Sequence, residues 1–221
     1  MDATPEQVKA GHAFYTKRTL AFYDAAILGF FSRLAWKCPA SRIVEHYNAN
    51  VSDNHLDVGV GTGYFLDHCQ YPSATPRLAL MDVNADCLAK ATQVLDRFHP
   101  EIYEANVLEP IPFDGAKFDS VGLNYLLHCL PGDIRAKGVV FANLAALTNP
   151  NAKVFGATLL SAGVDRNWFA RKVMDRNNKH GIFSNADDDL GGLRAVLNDH
   201  LRDVTIEIVG CVAIFSGLVR H

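Results

Sequence analysis

The sequence predicts an α/β fold: a doubly wound, mostly parallel seven-stranded sheet with an antiparallel last strand, preceded by an N-terminal helical lid. Five short apolar runs, at 56–60, 78–82, 102–105, 118–125 and 154–160, alternate with segments of helical periodicity, as βαβ units do. A glycine-rich turn follows the first run, at the end of a strand where open parallel sheets receive ligands. Two more apolar runs, 204–209 and 212–219, flank Gly210 and Cys211, and so short a connection allows only antiparallel pairing.

Taken in order, residues 5–37 read as helical, with too many apolar side chains for a solvent-facing element, Phe14, Leu20, Phe22, Ile27, Phe30 and Trp36 among them. Such a segment must cover something. A helix over 41–47, stopped by Asn48 and Asn50, leads into the first strand. There Leu56, Val58 and Val60 are the apolar side chains of a buried strand. Gly59, Gly61 and Gly63 remove the Cβ at alternate positions, which leaves room for a nucleoside against the backbone. The N–H groups that open the following helix, 64–69, favour an anionic group above the turn.

The dinucleotide fingerprint needs a glycine five positions after its first one, and Tyr64 and Leu66 stand there instead, so the NAD pattern fails. The arrangement Asp57-x-Gly59-x-Gly61-x-Gly63 resembles the first motif of the class I S-adenosylmethionine-dependent methyltransferases, with Asp57 at the family's acidic position. A second match is the run 78–82, which ends in Asp82 at a strand tip, where a carboxylate can accept both ribose hydroxyls of a nucleoside. The resemblance covers roughly residues 50–220 and implies S-adenosyl-L-methionine as the cofactor. It implies a cofactor site of Asp57, Gly59, Gly61, Thr62, Gly63, Asp82, Val83, Asn106, Val107 and Asn124. Asn106 stands where the family more commonly has an aspartate near the adenine amino group, and it reads equally well as a turn residue. The resemblance also implies that the N-terminal helices lie over the cofactor and close the substrate pocket, with Tyr15 and Tyr23 as pocket-lining groups.

The remaining elements follow. A helix at 86–98, capped by Asn84 or Asp86, precedes the strand at 102–105. The strand at 118–125 places Asn124 and Tyr125 at its C-terminal end, where they should border the methyl group and the substrate. The segment Leu126-Leu127-His128-Cys129-Leu130-Pro131 resembles the post-strand segment of small-molecule methyltransferases. His128 is a candidate general base because an imidazole titrates near neutrality, and Tyr23 is the second catalytic candidate. Asp133 is expected to cap a helix running to 147, with Val139, Val140, Phe141, Leu144 and Leu147 as its apolar face. Asn149-Pro150-Asn151 is read as a turn, and the loop-and-helix segment 163–185, with Trp168, as the place of substrate selection. The acids Asp187, Asp188 and Asp189 read as partners of a helix start rather than as metal ligands, and no metal is assigned.

With 221 residues and 49% hydrophobic composition, the chain is expected to form a single domain, with the lid at 1–48 and the Rossmann-like core at 50–221. A formal net charge of -3 shows no basic excess, so nucleic acid is disfavoured as a partner and a small molecule favoured. The five cysteines are widely spaced and never in C-x-x-C, which argues against a disulfide framework and a zinc site. The acidic start is unlike a secretory signal and the apolar run 25–31 is too short to span a bilayer, so a cytoplasmic protein is expected. A homodimer is the further partner expectation, and the N-terminal helices are packing or an oligomer contact if they do not form a lid. The expected activity is direct methyl transfer to an O, N, S or C atom of a small molecule. A non-methylating enzyme or a regulatory protein that binds the same cofactor is the alternative.

Overall fold

The computed structural model describes residues 32–220, so the expected N-terminal helices up to residue 31, Tyr15 and Tyr23 with them, lie outside the described residues. One sheet holds β1 (Asn54–Val58), β2 (Arg77–Asp82), β3 (Glu101–Glu104), β4 (Phe118–Asn124), β5 (Thr148–Leu159), β6 (Leu201–Val209) and β7 (Val212–Val219). Their order is β3-β2-β1-β4-β5-β7-β6. All neighbouring pairs from β3 to β5 are parallel, whereas β7 runs antiparallel to both β5 and β6. Chain order reverses across β1 and β4, and that switch point opens a crevice beyond their C-terminal ends.

Besides a short helical turn at Ser32–Leu34, the α-helices of the described residues are α1 (Ala40–Asn50), α2 (Tyr64–His68), α3 (Ala85–Val94), α4 (Val139–Ala145), α5 (Trp168–Lys179) and α6 (Leu190–His200). The central strands are buried on both faces, and alternate residues feed two separate cores. Leu56, Met81, Val121 and Phe215 pack with Val140, Phe141, Leu193 and Leu197 from α4 and α6. Leu78, Leu80, Phe155 and Ile214 pack with Ile43, Tyr47, Leu88, Ala91 and Met174 from α1, α3 and α5. Burying a side chain such as Phe155 or Phe215 contributes roughly 2–3 kcal/mol each, so the two layers together fix the sheet.

Several boundaries differ from the sequence reading. The helix expected at 86–98 ends at Val94 and continues as a separate 3-10 turn, Asp96–Phe98, because the backbone leaves helical geometry at Leu95. The helix expected after Asp133 is likewise broken: the Asp133 carboxylate accepts the Ala136 N–H at 2.9 Å at the start of a 3-10 turn, Ala136–Gly138, and α4 begins only at Val139. Val139 therefore points outward, 40% exposed, instead of joining the apolar face. Asn149-Pro150-Asn151 is not a turn between elements. The chain stays in β5, and the register against β4 shifts between Phe118 and Ser120, where Pro150 has no N–H to give to the ladder. The three consecutive acids divide their work. The Asp188 carboxylate, 1% exposed, pairs with the buried Lys137 ammonium at 2.6 Å, and Asp189 caps α6 by accepting the Gly192 N–H at 2.6 Å. No helix of the described residues is long and apolar enough to cross a membrane.

Candidate cofactor site

β1 passes directly into the glycine loop, and Gly59, Gly61 and Gly63 all have positive φ, at 72°, 56° and 79°. Their surroundings differ. A Cβ on Gly59 would lie 2.7 Å from Leu126 Cδ1, and one on Gly63 would lie 3.3 Å from Ala91 of α3, so these two glycines make room for the protein itself. A Cβ on Gly61 would meet nothing within 4 Å. The expectation that all three glycines clear space for a ligand is therefore corrected: Gly61 alone faces open space, and the outer two bring Leu126 and α3 close to the loop. α2 is only five residues long and its N-cap, Gly63, has no side-chain cap bond, so the backbone of the loop rather than a long helix dipole faces the crevice.

The cavity over this loop is lined by all ten residues expected to hold the cofactor, from Asp57 and the glycine loop through Asp82 and Val83 to Asn106, Val107 and Asn124. Asp82 ends β2, and its carboxylate accepts the Asn84 N–H at 2.9 Å. Asn84, not Asp82, caps α3, since its side chain accepts the Asp86 N–H at 2.9 Å. Burial raises the Asp82 carboxyl from 3.8 to about 6, although the N–H groups of Asn84, Gly61 and Val83 favour its ionised form. Among the described residues, Asn124, 7% exposed at the end of β4, has no hydrogen bond of ordinary geometry to either amide atom. A buried carboxamide in that state is a polar group awaiting a partner. Asn106 does act as a turn residue: its Oδ1 accepts the Leu108 N–H at 3.1 Å and its Nδ2 donates to Glu109 at 2.8 Å. It nevertheless lines the cavity, so the two readings of this residue coincide in space.

Asp57 is 3% exposed, and its Oδ2 accepts a 2.5 Å hydrogen bond from the Tyr47 hydroxyl. His55 Nε2 lies 3.5 Å from the same oxygen, and His55 Nδ1 is 2.8 Å from Ser120 Oγ. Tyr47, on α1, also lines the cavity, which the sequence reading missed. Nothing in the local pattern pairs a tyrosine on one helix with a strand carboxylate. Only its inward position on α1 could have hinted at a role.

Two expected substrate or catalytic residues lie elsewhere. His128 is 4% exposed, packs edge-on against Phe183 with 4.7 Å between ring centroids, and is not among the cavity-lining residues. Burial first, and the Lys137 charge second, lower its imidazole from 6.5 to about 3. An imidazole so reluctant to take a proton is a poor general base, and the candidate role is corrected to packing. Trp168 opens α5 at 75% exposure, away from the cavity wall. Tyr125 follows β4 with φ 56° and lines the cavity together with the apolar Leu126, Leu130 and Pro131.

The family model described as "Methyltransferase domain" matches residues 23–188. The chain belongs to this methyltransferase family. It is 40% identical over 212 residues to a demethylluteothin O-methyltransferase of Streptomyces thioluteus, covering 96% of this chain and 92% of that one. It is 35% identical over 210 residues to a physcion biosynthesis cluster O-methyltransferase of Aspergillus chevalieri, covering 94% of each chain. Among solved structures, its fold is similar to that of the DhpI–SAH complex, with TM-score 0.69 at 14% identity over 97% of both chains. It is also similar to the N-methyltransferase NodS from Bradyrhizobium japonicum WM9 bound to S-adenosyl-L-homocysteine, with TM-score 0.65 at 16% identity over 96% of this chain and 100% of that one. Both of these solved structures hold S-adenosyl-L-homocysteine, and the cavity here suits a nucleoside ligand of that kind. Open space over Gly61, a half-buried carboxylate at Asp82 and an Asn124 carboxamide with no hydrogen bond among the described residues are what a nucleoside with a charged tail requires.

Proposed function

We propose that this methyltransferase transfers its methyl group to a hydroxyl oxygen of a small molecule. The observation that carries the reading is that two relatives named as O-methyltransferases match it over nearly their whole length at 40% and 35% identity. In this reading Asp82 accepts the ribose hydroxyls, and Gly61 lets the nucleoside lie against the loop backbone. Val83, Val107 and Asn106 border the base, where Asn106 Oδ1 keeps one lone pair beyond its bond to Leu108. Asp57 and Asn124 serve the charged end of the cofactor, and Gly59, Thr62 and Gly63 complete the loop.

Bound S-adenosylmethionine supplies a methyl group already activated on a sulfonium, so the protein contributes alignment and water exclusion rather than a strong acid or base. Tyr125, Leu126, Leu130 and Pro131 form the wall that holds the acceptor and keeps water out. The experiment is incubation of the purified chain with S-adenosylmethionine and a panel of phenolic, enolic and amine acceptors, reading S-adenosylhomocysteine release and product structure by NMR. A methoxy product is expected. An N-methyl product would overturn the choice of acceptor atom, and failure to bind the cofactor would overturn the site.

A further inference from the structure

The cofactor roles proposed above leave the Tyr47 hydroxyl, a buried polar group of the cavity wall, without a task. Tyr47 is 1% exposed, donates its 2.5 Å hydrogen bond to Asp57 Oδ2, and stacks on Phe65 with 5.8 Å between ring centroids and 19° between planes. Phe65 lies in α2, immediately after the glycine loop, and Tyr47 lies in α1, so one side chain ties α1 to both the loop helix and the strand carboxylate. Its ring is held edge-on against Phe155 at 5.1 Å and His55 at 6.2 Å, which leaves the hydroxyl little freedom to turn elsewhere. Burial foremost, and the Asp57 charge next, raise its phenol well above 10, so it remains a donor throughout the working pH range.

Asp57 needs such a donor. Among the described residues lining this cavity there is no lysine or arginine, so the carboxylate is steadied by the Tyr47 O–H and by His55 at 3.5 Å, not by a permanent positive charge. A carboxylate in that situation is left to attract a cationic group of the ligand, provided that its orientation is fixed. We propose that Tyr47 is a positioning residue of the cofactor site, acting through Asp57: it orients the carboxylate toward the cationic end of the cofactor. The inference rests on the cofactor reading of Asp57 given above.

The test is calorimetric binding to the full chain of two ligands, S-adenosylhomocysteine, which carries an ammonium, and 5′-methylthioadenosine, which does not. Tyr47→Phe keeps the ring and its stacking and removes only the donor. It is expected to weaken S-adenosylhomocysteine about five- to tenfold, the scale of one hydrogen bond to a charged group, and 5′-methylthioadenosine less than about twofold. In the double variant with Asp57→Asn, the loss should be no larger than in Asp57→Asn alone, because the hydroxyl acts only through the carboxylate. Wild-type affinity in Tyr47→Phe, or an equal loss for both ligands, would reduce Tyr47 to packing and overturn the proposal. Wild-type affinity in Asp57→Asn would instead remove Asp57 from the cofactor site, and the proposal with it. If Asp57→Asn does not fold, the two-ligand comparison in Tyr47→Phe alone decides.

Discussion

Asp82→Asn should move stability and cofactor affinity in opposite directions. The folded carboxyl titrates at about 6 against an ordinary 3.8, and each tenfold change in proton affinity is worth about 1.4 kcal/mol. Ionised Asp82 thus costs the ligand-free fold roughly 3 kcal/mol. Because the folded value is the higher one, the penalty is absent below pH 3.8, grows as pH rises toward 6, and is complete above that. Asparagine carries no charge at any pH. Its Oδ1 can still accept the Asn84 N–H, but its Nδ2 cannot serve the Gly61 and Val83 N–H groups that now favour the carboxylate, which offsets part of the gain. The variant should therefore be more stable by about 1–3 kcal/mol at pH 7.5 and indistinguishable at pH 4 in urea melts. Calorimetry with S-adenosylhomocysteine should show a loss of about 1.5–3 kcal/mol, the scale of a hydrogen bond to a charged group. A variant less stable than wild type at pH 7.5, or one that binds the ligand unchanged, would refute the reasoning.

Three further outcomes are expected. Gly61→Val should lower S-adenosylhomocysteine affinity more than about tenfold while circular dichroism shows the fold intact, because its side chain would enter the only open space above the loop glycines at a φ of 56°; retained binding would leave Gly61 a turn residue only. His128 contributes stability that is present above 6.5 and lost as pH falls toward about 3, so between pH 7.5 and 4.5 wild type should lose roughly 2–3 kcal/mol more than His128→Leu. Equal pH slopes in urea melts would contradict its burial as a neutral imidazole. Lys137→Met should destabilise by about 3–5 kcal/mol by leaving Asp188 buried and unpaired, with Asp188→Asn added to it restoring part of the loss; a loss under about 1 kcal/mol would show that the pair is solvated.

Much of the fold was legible because β2, β4 and β7 are largely apolar runs and the crossovers between strands carry helical periodicity, patterns that depend on neighbours close in sequence. The cofactor half of the site was legible for a related reason. In a doubly wound sheet the strand tips converge on one crevice, so Asp57, Asp82 and Asn124 meet there once the strands are identified. What escaped was set by contacts distant in sequence. The environment of His128 depends on Phe183 and Lys137, and the partner of Asp57 sits on a different element at Tyr47. The different duties of Gly59, Gly61 and Gly63 depend on where Leu126, Ala91 and Leu95 pack, which no spacing rule records. Pro150 misled in the opposite sense, since a proline that ends most strands is absorbed here by a register shift.

The central claim is that the crevice at the β1 and β4 switch point holds the methyl donor, with its nucleoside over Gly61 and its ribose on Asp82. A crystal structure of the chain grown with S-adenosylhomocysteine tests it most directly. Density is expected over Gly61, with both ribose hydroxyls on the Asp82 carboxylate and the Asn124 carboxamide hydrogen-bonded to the ligand. Density for the ligand at any other place, or a ribose that leaves Asp82 unbonded while the ligand saturates the crystal, would contradict it.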